Sequence, residues 1–413
     1  MTKKKAKKKP FIILGYILLI IGLGVYIYLT PNKSAKPEKK PTENKKEEKK
    51  PVKENFSFSF IGAGDALIHT GVFVDARTGA VGADGYAVYD FNKMFTHVKE
   101  IIEPYDLKFY NQETIIGGKS RGLGGYPNFN SPDEIGINLT RDVGFNIVNL
   151  ASNHTMDKGS AATEYSVNFW KQQEDVYVTG SYASFEERDN IEIKNVNGIS
   201  YAVLSYTYGT NGMPVPQGKE YLVNVWPTNL DLNNVATDTK YQAYKEQVKK
   251  DVEAIRDKVD VLMVSMHWGV EYVHTPTKYQ QDSAKFLADL GVDVIIGTHP
   301  HVVQPIEFID DTLVIYSLGN MISAQVGTQK LVGMLAAFTV NKEVVDGKTT
   351  KIEITDVKGD LIWTHYNTFQ NFKVIPFNKL TDTTLFGYRD IYEKYKAYVN
   401  PKQDTRIKVG FFE

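Results

Sequence analysis

The sequence predicts an α/β fold. Three observations carry that prediction. Short apolar runs of strand length recur from Phe56 onward, amphipathic stretches of helix length lie between them, and most of the runs end in a polar cluster. Alternating strands and helices bury their apolar faces as helices packed over sheets. A length of 413 residues suits one large domain with accessory segments. Hydrophobic residues make up 42% and charged residues 23%, which excludes a wholly disordered chain.

The strands expected are Phe56–Ile61, Leu107–Tyr110, Ile147–Leu150, Tyr201–Ser205, Val259–Met266, Val292–Ile296 and Thr312–Tyr316. Helix candidates lie between them. Phe91–Glu103 places Met94, Phe95, Val98, Ile101 and Ile102 on one stripe. Thr163–Gln173 and Tyr241–Lys258 have the same character. Pro276–Leu290 opens with proline and stops before Gly291, the asymmetry expected of helix ends. Residues 331–376 read as further strands, so the main domain is expected over 56–376, with a helical, charged tail over 377–413.

Before Phe56 the composition is different. Residues 1–10 form a basic segment with six lysines, and 11–30, FIILGYILLIIGLGVYIYLT, carry no charge. About 20 residues at 1.5 Å rise span a ~30 Å hydrocarbon core, so this is an expected transmembrane helix. The lysine cluster places the N-terminus in the cytoplasm and the main domain outside the cell membrane, as a single-pass protein. A cleaved signal peptide is the rival reading, but GVYIYLT offers no small-x-small cleavage site. Residues 31–55 are Pro, Lys and Glu with almost nothing apolar, an extended charged tether. The first 54 residues hold 15 Lys and 5 Glu, which leaves 33 Lys+Arg against 44 Asp+Glu in the remainder. A net-acidic main domain argues against nucleic acid as a partner. With no cysteine, disulfides, thiolate metal sites and cysteine nucleophiles are excluded.

The functional signal lies just past the end of six of the seven strands. The runs lead into Gly64-Asp65, Asn111-Gln112-Glu113, Ser152-Asn153-His154, His267-Trp268-Gly269 with Glu271, His299-Pro300-His301 and Ser317-Leu318-Gly319-Asn320. Carboxyl ends of strands are where α/β sheets bind ligands. Asp, Glu, Asn and His are donors for hard or borderline divalent ions. Each motif alone has a structural reading, as a helix cap, a turn or a chance pair. Together, and in this order, they predict a metal centre in which one carboxylate can bridge two ions. His69 and His274 are weaker candidates to reach the site, and His97 and His365 read as structural. Trp268 either stacks on a ligand or packs. Gly64 and Gly269 read as sources of backbone freedom, and Gly117–Gly125 as a flexible loop. No GxGxxG or Walker-type phosphate loop is present.

HWGVEY at 267–272, IIGTHPHVVQPIE at 295–307 and YSLGN at 316–320 form one closely spaced block, supported by SNHTMDKG at 152–159 and NQE at 111–113. At these residues the chain resembles the bacterial capsule-synthesis CapA family, or poly-γ-glutamate synthesis protein family. The resemblance runs from about Phe56 to Pro376. It implies a calcineurin-like metallophosphoesterase fold, two sheets in a sandwich flanked by helices. It also implies work on a poly-γ-glutamate capsule beside membrane-bound synthase subunits. Carried over residue by residue, it makes Asp65, Glu113, Asn153, His267, His299 and His301 metal ligands, and His154 the histidine at the leaving group. The metal could be Mn, Mg or Zn. Two departures stand out: Leu67 occupies a position where the superfamily has a ligating His, and Thr155 follows His154 where an acid is usual. Two functions are therefore open, a metal-dependent hydrolase or transferase acting on a phosphoester or amide, and a non-enzymatic polymer-binding subunit.

Overall fold

A computed structural model describes residues 51–226 and 239–410. The expected basic tail, the membrane span and most of the tether fall outside the described residues. Among the described residues, no helix is long and apolar enough to cross a membrane.

Two mixed sheets face each other. The larger runs, edge to edge, through Gln370–Pro376, Lys348–Asn367, Val332–Val345, Lys53–Ala66, Leu107–Asn111, Ile147–Asn149 and Tyr177–Thr179. Asn320–Ile322 adds in parallel to Lys53–Ala66, and Ile407–Val409 in parallel to Lys348–Asn367. The second sheet runs Ile306–Ile309, Thr312–Ile315, Val294–Thr298, Val261–His267, Ile199–Thr207 and Lys194–Val196. Its four inner neighbours, from Thr312–Ile315 to Ile199–Thr207, are parallel.

Period-two alternation explains the layers. Val261 and Met263 face Phe60, Phe109 and Phe338 of the other sheet, whereas Leu262 and Val264 face helices. A strand buried on both faces reads as a continuous apolar run, which is why Val261–Met266 is legible in the sequence. The outer face of the larger sheet is covered by helix Asn92–Ile102 through Met94, Phe95, Val98 and Ile102. Each such burial stabilises the fold by about 1.5–3 kcal/mol. The outer face of the smaller sheet is covered by Thr239–Ile255 and Lys278–Asp289.

Most element boundaries shift by one to three residues, and three differences matter more. The first strand begins at Lys53, three residues inside the expected tether. Antiparallel pairing with Val332–Val345 continues there, and Lys53 sits opposite Val345. The helix expected from Pro276 starts at Lys278, because Thr277 caps it reciprocally with Gln280 and leaves the proline outside. Residues 377–413, expected to be helical, contribute the helix Tyr388–Lys396 and also the strand Ile407–Val409. Leu380, Tyr395, Val399 and Ile407 are buried in the core between the sheets.

Candidate metal centre

The ends of the two sheets meet where the polar clusters lie. Three glycines let neighbouring backbones pack closely there. A Cβ on Gly64 would stand 1.8 Å from the Gly319 carbonyl oxygen, one on Gly297 1.9 Å from that of Tyr316, and one on Gly333 2.0 Å from that of Asn320. Gly64 thus serves close contact rather than backbone freedom, whereas Gly269, at φ +88°, does supply a left-handed turn.

Asp65, Glu113, Asn153, His267, His299 and His301 are brought together there. Their donor atoms form two overlapping groups that could hold an ion, Glu113–His267–His299 and Asp65–Glu113–His301, each with its donors within 4.8 Å of one another. Glu113 is common to both, as a bridging carboxylate must be. Its Oε1 lies 3.8 Å from His267 Nε2 and 3.5 Å from His301 Nε2. Asn153 Oδ1 lies 2.9 Å from His267 Nε2. Residues that succeed a strand are ordinarily expected on loops outside the core. Asp65 and His299 do succeed strands, but Asp65 is 0% and His299 3% exposed, because both sheets close over them.

Neighbours in the same polar runs, given no ligand role from the sequence, hold these donors in place. Asn111 donates to Asp65 Oδ1 at 2.7 Å and accepts from Asn149 at 2.7 Å. Thr298 Oγ1 lies 2.9 Å from His267 Nδ1, where it can fix the tautomer that frees Nε2. Asn320 Oδ1 and Asp65 Oδ2 lie 3.0 and 3.1 Å from His301 Nδ1. His299 and His301 adopt φ of +94° and +57°, strained for residues other than glycine.

The electrostatics suit cations. Neither oxygen of Glu113 has a hydrogen-bond partner, although both are buried, and His299 Nδ1 is in the same position. Burial pushes the Glu113 carboxyl well above the usual range, His301 opposes, and Asp65 and Glu271 push the same way. Burial also lowers His267 and His299 far below the ordinary imidazole value, so both are neutral and ready to donate a lone pair. His301 is pulled down by burial, but Glu113 and Asp65 outweigh this and hold it up at about 9. A buried acid with bare oxygens amid neutral imidazoles fits a divalent ion.

His154 belongs to neither group. Its Nδ1 lies 2.7 Å from Asp157 Oδ2, which also accepts the Phe129 N–H at 2.7 Å. A carboxylate only accepts, so Nδ1 carries the proton and Nε2 is left for proton exchange. Among the remaining candidates, His69 precedes the helix Thr70–Asp75 and meets Phe129 edge-on at 5.2 Å, and Phe129 in turn meets His154 at 4.6 Å. His274 stacks on Tyr398 at 4.1 Å, a packing role. Trp268 is fully buried and donates to the Tyr316 carbonyl at 2.9 Å, so it packs rather than stacks on a ligand. His97 and His365 join none of the ligand groups. In the glycine-rich loop, Asn130 binds the backbone of Gly117, Gly118 and Gly122.

Fold and site together define a two-sheet α/β domain with buried carboxylate and imidazole donors clustered at its strand ends. Residues 59–325 match the profile of the bacterial capsule synthesis protein family PGA_cap, and the chain belongs to that family. It is 26% identical over 364 residues to the PGA biosynthesis protein CapA of Bacillus subtilis (strain 168), covering 86% of this chain and 82% of that one. It is 30% identical over 195 residues to the capsule biosynthesis protein CapA of Bacillus anthracis, covering 47% of this chain and 44% of that protein. Among solved structures, a hypothetical protein from Thermus thermophilus aligns with a TM-score of 0.40 and 15% identity, over 72% of this chain and 97% of that one. GAP50, the anchor in the inner membrane complex of Plasmodium, aligns at 0.34 with 12% identity, over 72% and 88%.

Proposed function

We propose that this chain is a membrane-anchored, extracytoplasmic component of poly-γ-glutamate capsule synthesis or export, with a centre of the calcineurin-like metallophosphoesterase kind. Residues 11–30 are the proposed span, and the capsule polymer and the membrane-bound synthase subunits are the proposed partners. One observation carries the chemical part: the Glu113 carboxylate, fully buried with both oxygens bare between two donor groups. In this reading Asp65, Glu113, Asn153, His267, His299 and His301 hold divalent metal. Bound there, the metal would act as a Lewis acid on a phosphoryl or carbonyl oxygen.

The chain's own part is proton handling. Asp157 keeps the His154 ring in one tautomer and stabilises the imidazolium formed when Nε2 takes a proton. His154 can then deliver that proton to a departing oxygen or nitrogen. The His154–Asp157 pair favours chemistry over a purely polymer-binding role, since a scaffold has no use for a buried, oriented imidazole.

Two measurements test the reading. In a capsule-forming strain, His154→Ala should keep the protein's metal content while capsule output falls, whereas His267→Ala should lower both. Normal capsule from the His154→Ala strain would falsify the catalytic role. Protease added to intact protoplasts should remove the main domain, and protection of that domain would sink the topology.

A further inference from the structure

We propose that Glu271 is a third carboxylate donor of the centre, closing it from the solvent side. The proposal rests on the reading of the centre as a metal site and extends its donor set. The ion position defined by Asp65, Glu113 and His301 has three protein donors. Divalent ions take four or more ligands, and hard ions about six. The residue two beyond Asp65, where a strand end would offer a second donor on the same side, is Leu67, apolar and 2% exposed. That side of the centre contributes nothing further.

Glu271 reaches the same His301. Its carboxylate forms a third group with His299 and His301, again with ligand atoms within 4.8 Å of one another. It differs from the other acids in exposure: Asp65 and Glu113 are sealed in, whereas Glu271 is open to solvent. The three carboxylates therefore reach the imidazoles from inside and from outside.

The loop that bears Glu271 is fixed rather than free. It leaves the strand Val261–His267 through Gly269 at φ +88°. The next residue after Glu271, Tyr272, is held at φ +67°. Its N–H donates to the carbonyl of Pro300, between His299 and His301, at 2.7 Å. The Tyr272 hydroxyl accepts from Gln325 at 3.1 Å, and the Lys330 ammonium lies over its ring at 4.1 Å. One contact thus docks the loop against the His-x-His turn and two more fix the Tyr272 ring, and a left-handed backbone in a bulky residue is kept only where the surroundings impose it. Charge balance argues the same way. Two divalent ions against two carboxylates leave a large positive excess in a site of low dielectric, and a third carboxylate reduces it.

The experiment is a Mn²⁺ titration of the full, detergent-solubilised chain after EDTA stripping, following free Mn²⁺ by electron paramagnetic resonance. The wild-type chain should bind two ions. Glu271→Gln should weaken one of them by about tenfold or more, with Glu271→Asp intermediate. Because Glu271 is exposed, the melting temperature of Glu271→Gln in EDTA should equal that of the wild type. Two ions bound by Glu271→Gln with unchanged affinity would overturn the proposal and leave the centre standing. A several-degree fall in its EDTA melting temperature would assign Glu271 to loop structure and overturn the proposal too. Failure of the wild-type chain to bind any Mn²⁺ at millimolar concentration would overturn the underlying metal reading, a result distinct from the other two.

Discussion

Replacing Glu113 by glutamine should stabilise the metal-free protein and destabilise the metal-loaded one. The carboxyl is 0% exposed and neither oxygen is hydrogen-bonded. Without metal it must either ionise in the interior, where the nearby His301 imidazolium offsets only part of a cost of several kcal/mol, or take up a proton. At pH 7, roughly 2.5 units above the ordinary carboxyl value, protonation costs about 3 kcal/mol, and this cheaper route sets the ceiling. Glutamine is isosteric and has no such cost. The sign follows from the raised carboxyl. A group whose folded value is raised favours the folded state below its unfolded value, and that support is lost as pH rises. The metal-free wild type should therefore lose stability above pH ~4.5, and Glu113→Gln should lack that slope. With metal the order reverses, since an ion that binds only the folded state stabilises by RT ln(1 + [L]/Kd), about 2.7 kcal/mol at a hundredfold excess over Kd. The assay is calorimetric melting of both proteins in EDTA and in Mn²⁺ at pH 7, and again in EDTA at pH 5. In a domain this size, about 3 kcal/mol is several degrees. If Glu113→Gln melts lower than wild type in EDTA at pH 7, the carboxylate has a structural partner and the argument for an ion fails.

Further outcomes are expected from other parts of the structure. Asp157→Asn should leave metal content intact while capsule output drops about tenfold, because a charge-assisted hydrogen bond to His154 worth roughly 1.5–3 kcal/mol is lost; unchanged output would make Asp157 a bystander. His69, lowered by burial to about 4, should contribute stability in full above pH 6.5 and lose it as pH falls toward 4. Its share is at most about 3 kcal/mol. Denaturant titrations at pH 7.5 and 5 should show a flatter pH dependence for His69→Leu than for wild type, and equal slopes would contradict this. Gly297→Ala should cost more than about 3 kcal/mol or prevent soluble folding, since its Cβ would sit 1.9 Å from a backbone oxygen. Thermal melting would check it, and a loss under about 1 kcal/mol would mean that the backbones can part.

The donors are legible in the sequence because each succeeds an apolar run, and local sequence records that. Their supports are not. Asn111 reaches Asp65 across 46 positions and Asn320 reaches His301 across 19, contacts that only the folded sheets create. Asp157 has a local signal, three residues after His154 in a tight turn, but nothing in the spacing marks it as an orienting acid. Glu271 stands in the same run as His267, and without the backbone bond from Tyr272 to Pro300 its direction cannot be inferred. The depth of the centre is also hidden, because polar residues after a strand suggest a wet loop, and the sealing comes from the second sheet. The strand Ile407–Val409 is three residues long, too short for alternation to show.

The separation between donors has a consequence for when the protein acquires its metal. Asp65 meets His301 across 236 positions, and Tyr398, almost at the end of the chain, stacks on His274, three residues beyond Glu271. A chain threaded outward behind its proposed N-terminal anchor exposes Asp65 early and His301 late. Under the proposed topology Asp65 and Glu113 would leave the cell ahead of His267, His299 and His301, so neither side of the membrane would hold the full donor set during export. In that reading the complete centre would be loaded only after His301 had emerged, from metal in the cell's surroundings rather than from the regulated cytoplasmic pool.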